Sequence, residues 1–232
     1  MHALAFILGI VTGALLAAGL VHARVLDVPS RWNPWTPLAI ADVPNLLTRY
    51  KLARLDSDAA QCTSVLAGAQ MRFTPVPDRD TGTGCGFANA VRIEATTAQV
   101  GAPFALSCRS AVALALWETH GLQPAARRHF NERVVRLEHY GSYACRNVYG
   151  RDGDRRSRHA TADALDLAGF VLEGGRRIRV RTGWDGEAHD AAFLREVHGQ
   201  ACRFFDAVLG PDYNAAHRDH FHIDRGSFKV CR

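Results

Sequence analysis

His159-Ala-Thr-Ala-Asp163-Ala-Leu-Asp166 and Asp219-His220-Phe221-His222 are the two stretches on which the reading of this chain turns. Together they offer His159, Asp166 and His222, two imidazoles and a carboxylate. Three ligands of this kind are what a hydrolytic zinc ion uses while keeping a fourth position for water. The residue types therefore point to metal-dependent hydrolysis. Ala164 to Leu172 is rich in apolar residues and ends at Gly174-Gly175, a turn signal before the alternating run Arg176-Arg-Ile-Arg-Val-Arg181. That pattern predicts a hairpin. On its first strand Asp166 projects from one face, with His159 in the loop just ahead. His220, His222 and Asp224 are spaced two apart, so a strand there presents all three on one face and turns Phe221 and Ile223 to the core. Asp163 lies an odd number of residues from Asp166 and falls on the other strand face, which leaves Asp166 as the expected ligand.

Most histidines bind no metal. His2, His22, His120, His129, His139, His189, His198 and His217 are read as surface or hydrogen-bonded residues. Paired histidines on one face of a short apolar strand are different, because a half-buried polar face needs partners.

The chain has 232 residues, 47% of them hydrophobic, enough for one core of ordinary size. Ala3 to Val21 carries no charge. It is near the ~20 residues a helix needs to cross a bilayer and longer than the usual core of a signal peptide. Residues 1–23 are expected to be a membrane anchor, with a cleaved signal as the alternative because Val21-His22-Ala23 ends in a small residue. Residues 24–44, with Trp32, Pro34, Trp35, Pro37 and Pro44, cannot form a regular helix and read as a tether that packs on the domain or lies at the membrane surface. Residues 45–232 form the expected catalytic domain.

Six cysteines, an even number with no C-x-x-C pair, exclude a zinc ribbon. Disulfides in an oxidising compartment, the periplasm or beyond, explain them better. The net charge of +5 comes from scattered arginines without recognition-helix or zinc-finger spacing, so nucleic acid is excluded as a partner. Anionic membrane surfaces or acidic wall polymers suit that charge.

Helices are expected within Asn45–Ala69, interrupted at Asp56-Ser-Asp58, over Cys108–Thr119, from Pro124 to Phe130, and over Asp190–Leu209, where Gly210-Pro211 stops the apolar repeat. Strands are expected at Met71–Val76, Val91–Glu94, Val134–Leu137, Ala164–Leu172, Arg176–Arg181 and His220–Asp224. The fold class that follows is α+β, a small and mostly antiparallel sheet carrying the zinc site and flanked by helices.

Trp32-Asn-Pro-Trp-Thr-Pro-Leu38, Gly141-Ser-Tyr-Ala-Cys-Arg146, Ser157-Arg-His-Ala160, Ala164-Leu-Asp-Leu-Ala-Gly-Phe170 and Leu209-Gly-Pro-Asp-Tyr-Asn-Ala-Ala-His-Arg-Asp-His-Phe-His222 resemble the bacterial extensin-like C-terminal domain family. The order H-x(6)-D followed by H-x-H is also similar to the zinc peptidases of the lysostaphin, D-alanyl-D-alanine metallopeptidase and hedgehog group. One departure is Arg158, where an acidic residue is expected. The resemblance implies Zn2+ at His159, Asp166 and His222, and hydrolysis of peptidoglycan stem peptides or crosslinks by a protein held at the inner membrane through its N-terminal segment. It implies Asp219 as general base and His220 as the group that stabilises the tetrahedral intermediate. The opposite assignment stays open, because an aspartate must be shifted upward to act as a base whereas imidazole titrates near neutrality. Arg146 matches the position of a cation aimed at the developing oxyanion. Ser157 is expected to order the His159 loop and Asp224 to orient an imidazole, while Tyr213 and Asn214 are expected to shape a substrate wall. Hedgehog relatives hold zinc without peptidase action, so a non-catalytic, metal-stabilised wall-binding module is the alternative.

Overall fold

The computed structural model describes residues 2–23, 25–153 and 155–232. Helix α1 (His2–His22) leads the chain and buries none of its residues. It is long and apolar enough to cross a membrane, and a signal sequence has the same character. Helices α2 (Leu46–Arg54) and α3 (Ala59–Ala67) follow, each started by a side-chain cap. Asn45 and Thr48 form a reciprocal capping box, and Asp58 accepts from the backbone of Gln61. The break at Asp56-Ser-Asp58 falls where the sequence puts it.

Strands β1 (Arg72–Val76), β2 (Arg79–Gly82), β3 (Cys85–Phe87), β4 (Ala90–Ala95) and β5 (Gln99–Ser107) come next, then helices α4 (Cys108–Trp117) and α5 (Gln123–Phe130). A π-turn over Glu118–Leu122 joins the two helices, and a Cβ on its Gly121 would come within 2.9 Å of Gln200. The remaining elements are β6 (Val134–Gly141), β7 (Ala164–Leu172), β8 (Arg177–Arg179), α6 (Val180–Gly183), α7 (Ala188–Ala201), β9 (Ala207–Leu209), β10 (Phe221–Asp224) and β11 (Val230–Cys231).

The main sheet runs β1-β4-β5-β6-β7-β10-β9-β11, with β8 on β7. The expectation of a mostly antiparallel sheet needs correction: the sheet is mixed, because β5 and β6 run parallel, as do β9 and β11. The β5–β6 pair is joined through α4 and α5, the helical crossover that parallel neighbours require. Strand β7 pairs with β6 along one edge; its other edge is shared by β10 over Ala164–Leu167 and β8 over Gly169–Val171. Sharing is possible because β8 is short. Only Arg177–Arg179 of the expected Arg176–Arg181 run is strand, and Val180 starts α6.

Leu165 and Leu167 of β7 face Ile223 and Phe221 of β10 across the ladder, and all four are fully buried. Behind them Phe170 packs near Trp117 and Phe193, with ring centroids 6.2 and 5.6 Å away. Burying aromatics of this size is the main source of core stability.

The helix expected over Asp190–Leu209 ends at Ala201. Phe204, Phe205 and Val208 are buried at the expected spacing, but the chain turns after Cys202 and Ala207–Leu209 becomes a strand between β10 and β11. A disulfide from Cys202 to Cys231 sits at that turn. The other bridges are Cys62–Cys108, joining α3 to α4, and Cys85–Cys145.

Residues Ser30–Pro44 pack on the domain. Leu38 and Ile40 enter the core, and buried Lys51 donates to the carbonyl of Ser30 at 2.7 Å and to Thr36 Oγ1 at 3.1 Å.

Candidate metal centre

Antiparallel pairing sets His222 directly opposite Asp166, so both side chains leave the same face of neighbouring strands. His222 Nδ1 lies 2.9 Å from Asp166 Oδ1. His159 arrives from a 3-10 turn, Arg158–Thr161, that ends with Ala162 in the left-handed region at φ 53°. Its Nε2 comes within 3.1 Å of both Asp166 Oδ1 and His222 Nδ1. The turn is fastened by Ser157 Oγ, which accepts from the His159 backbone at 3.3 Å, and by backbone bonds from Ala144 to His159 and from Ser157 to Arg146.

Both rings are aimed from behind. His159 Nδ1 lies 2.9 Å from the carbonyl of Ser142, and His222 Nε2 lies 3.1 Å from Asp224 Oδ2. An outer nitrogen that faces an acceptor carries the hydrogen, so in the neutral rings the inner nitrogens present lone pairs. Three lone-pair atoms then meet at 2.9–3.1 Å with only lone pairs between them. A proton on His222 resolves that conflict in the metal-free protein, and a bound cation would resolve it in the proton's place. Four-coordinate zinc with bonds of about 2.0–2.1 Å holds its ligand atoms roughly 3.3 Å apart, close to the triangle found here. The donor set of two imidazoles and a carboxylate fits a divalent ion of this class.

Electrostatics agree with the geometry. Burial works against the charge of His222, but hydrogen bonds and proximity to Asp166 and Asp224 prevail and push it up to about 9. Burial likewise opposes ionisation of Asp166, yet His159 and His222 hold its carboxyl far below the usual carboxylate range. Both shifts favour positive charge beside the Asp166 carboxylate.

His220 lies just before β10, two residues from His222. Its Nδ1 is 2.9 Å from Asp219 Oδ1, and its Nε2 is 3.6 Å from Asp166 Oδ1. That hydrogen bond with His220 pulls Asp219 below the ordinary carboxylate value. Arg146 is exposed, and its loop is tied down by the neighbouring Cys85–Cys145 bridge. Its charge reaches His217.

His217, read from the sequence as an ordinary histidine, stands in this group. It is buried, with ring centroids 5.3 Å from His220 and 5.9 Å from His222. Asn214 Oδ1 faces its Nδ1 at 2.8 Å. Burial, then the nearby His222 and His220, push its pKa down to about 4. Tyr213 and Tyr149 border its ring. The only signal in the sequence was its place five residues before His222, which matches no strand period.

Asp163 is occupied elsewhere. Its carboxylate takes Ser107 Oγ at 2.6 Å, Thr161 Oγ1 at 2.7 Å and Arg109 Nε at 3.1 Å. Those residues line a cavity of about 730 Å³ that includes none of the three cluster residues. A second grouping, His198 with Cys202 and Cys231, offers no thiolate because both sulfurs are in a disulfide. Arg158, the departure noted in the sequence, donates to Ser227 Oγ at 3.2 Å.

The fold and the site define a disulfide-braced α+β domain with a cluster of two buried histidines and one half-buried aspartate on the face of a mixed sheet. A family model, extensin-like protein C-terminus, matches residues 60–232, and the chain belongs to that family. No curated protein and no solved structure matches the chain.

Proposed function

We propose that the protein is a zinc-dependent hydrolase that cleaves peptide bonds in peptidoglycan stem peptides or crosslinks. The observation that carries this reading is the convergence of His159 Nε2, Asp166 Oδ1 and His222 Nδ1 within 3.1 Å of one another. Each imidazole is aimed from its outer nitrogen, and the resemblance of the order H-x(6)-D followed by H-x-H to the lysostaphin and D-alanyl-D-alanine metallopeptidase group is in line with the same ligand set. A divalent ion held there would polarise the scissile carbonyl and lower the pKa of a coordinated water.

The surrounding residues divide the remaining work. His220 keeps Nδ1 on Asp219 and turns Nε2 toward Asp166, the position from which a base collects a proton beside the ion. We therefore assign the base to His220 and give Asp219 the task of holding its ring. The sequence favoured the reverse, but a carboxylate lowered by its own hydrogen bond is a weak base. Arg146 supplies positive charge for the oxyanion that develops at the carbonyl. His217, fixed by Asn214, forms the neutral wall beside the base. An export signal or anchor in α1 and three disulfides suit a periplasmic site of action.

The test is digestion of purified peptidoglycan by the full-length protein with and without chelator, followed by mass analysis of the products. Chelator-sensitive release of shortened stem peptides is the expected result. Unchanged fragments with retained sacculus binding would overturn it in favour of a wall-binding module that keeps the ion for stability.

A further inference from the structure

Among the described residues outside α1, ten large hydrophobic side chains remain exposed, and six of them fall between Val25 and Leu46. They are Val25, Leu26, Trp32, Trp35, Val43 and Leu46, the last 93% exposed. So dense a concentration in one short segment marks an interaction surface, since isolated exposed apolar residues are otherwise scattered. The six belong to one part of the molecule. Asn45 Nδ2 donates to the carbonyl of Arg31 at 2.7 Å, and Ser30 Oγ donates to Asp42 Oδ2 at 3.0 Å, which fastens residues 42–46 against residues 30–32. The Trp35 ring meets the ring of His22, the last residue of α1, with centroids 5.3 Å apart.

The geometry points to a collar that rests on the lipid bilayer interface around the end of α1. Two independent features name a bilayer as the occupant. The patch is continuous with a 21-residue apolar helix that is long enough to cross a membrane and buries none of its residues. And the free chain is short: Ser30 is already bonded to Lys51, so only residues 23–29 separate the helix from the folded domain. Seven residues reach at most about 25 Å, so a membrane crossed by α1 is always within reach of the collar. Tryptophan is the side chain best suited to this boundary, with an apolar ring and a polar N–H.

Charge contributes little. Residues 24–46 carry Arg24 and Arg31 against Asp27 and Asp42, which leaves that segment without net charge. Docking is therefore driven by apolar area, needs no anionic lipid, and survives salt. It does not depend on the metal cluster, and the domain stands on the membrane instead of swinging from it.

Tryptophan fluorescence of the full-length protein in phosphatidylcholine vesicles tests this, using lipids brominated on the acyl chain close to the headgroup. The chain has four tryptophans and none is in α1; Trp117 and Trp184 are buried in the core. Quenching thus reports Trp32 and Trp35. Roughly half of the emission should be lost, equally at low and high salt, and a W32F/W35F variant, which keeps apolar rings in place, should lose almost none. Vesicle-bound protein without quenching, failure to associate with vesicles, or equal quenching in the variant would each overturn the proposal. So would unquenched tryptophans in a protein that crosslinks to itself, which would make a second copy the occupant. None of these readouts involves peptidoglycan cleavage, so the hydrolase reading stands or falls separately.

Discussion

Nε2 of His222 lies 3.1 Å from Oδ2 of Asp224, two residues further along the same strand. The carboxylate is buried and directs the opposite nitrogen of the ring at the cluster. Asp224→Asn should leave the fold intact and weaken metal binding by roughly 10–100-fold, as loss of an orienting carboxylate generally does. Competition against a chelating indicator measures it; unchanged affinity would remove Asp224 from the site.

Metal uptake should depend on pH in a defined sense. In the metal-free protein His222 carries a proton below about 9, and that proton must leave before the nitrogen can bind an ion. Affinity should therefore rise by about tenfold per pH unit up to roughly 9, with one proton released from His222. Calorimetry in buffers of different ionisation enthalpy counts that proton.

The same groups govern stability without metal. The folded pKa of His222 is raised from 6.5, so its contribution is complete below 6.5 and disappears as pH rises through about 9. That of Asp166 is lowered from 3.8, so its contribution is present above 3.8 and fades as pH falls toward its folded value. Chelator-treated protein should show its highest melting temperature between these limits, and His222→Ala should remove the alkaline loss.

Substitutions should separate binding from chemistry. His159→Ala should abolish metal content and activity together. His220→Ala should keep the ion and lower kcat by about 10²–10⁴-fold, the usual worth of a general base. Asp219→Asn should keep the ion with a smaller loss, because the ring it orients is still present. A larger loss in Asp219→Asn than in His220→Ala would return the base to Asp219.

Removing the Cys85–Cys145 bridge with two serines should cost about 2–5 kcal/mol of stability. It closes a loop with a sequence separation of 60 and holds the segment before Arg146. Ion content should be retained, because the three proposed ligands come from the His159 turn, β7 and β10, while the proposed activity should fall toward that of Arg146→Ala, about a hundredfold below the unsubstituted protein. Thermal denaturation and metal analysis of both variants make the comparison.

Strand β7 was legible to the residue because its apolar run is bounded by the charged Asp163 and the Gly174-Gly175 turn. The convergence of His159, Asp166 and His222 was legible for a related reason, since period-two spacing fixes which residues of β10 share a face. Strand β5 was not legible because its Gly101 and Pro103 are residues that ordinarily interrupt a strand. Helix α7 was drawn too long because Phe204, Phe205 and Val208 continue its apolar spacing, while β9 answers to its partners β10 and β11, which lie later in the chain. His217 escaped for the same kind of reason: its neighbours are set by the fold around Asn214, and no local period reports them. Long-range pairing is what local pattern cannot carry.

The opposition of His222 and Asp166 across the β7–β10 ladder has one more consequence. A slip of one residue between those strands would put Leu165 or Leu167 where Asp166 belongs and turn the carboxylate to the other face. Misaligned molecules would then be blind to metal. At the proposed ion site, capture would score strand alignment, and an indicator titration of a refolded sample would count the molecules whose sheet has closed in the correct register.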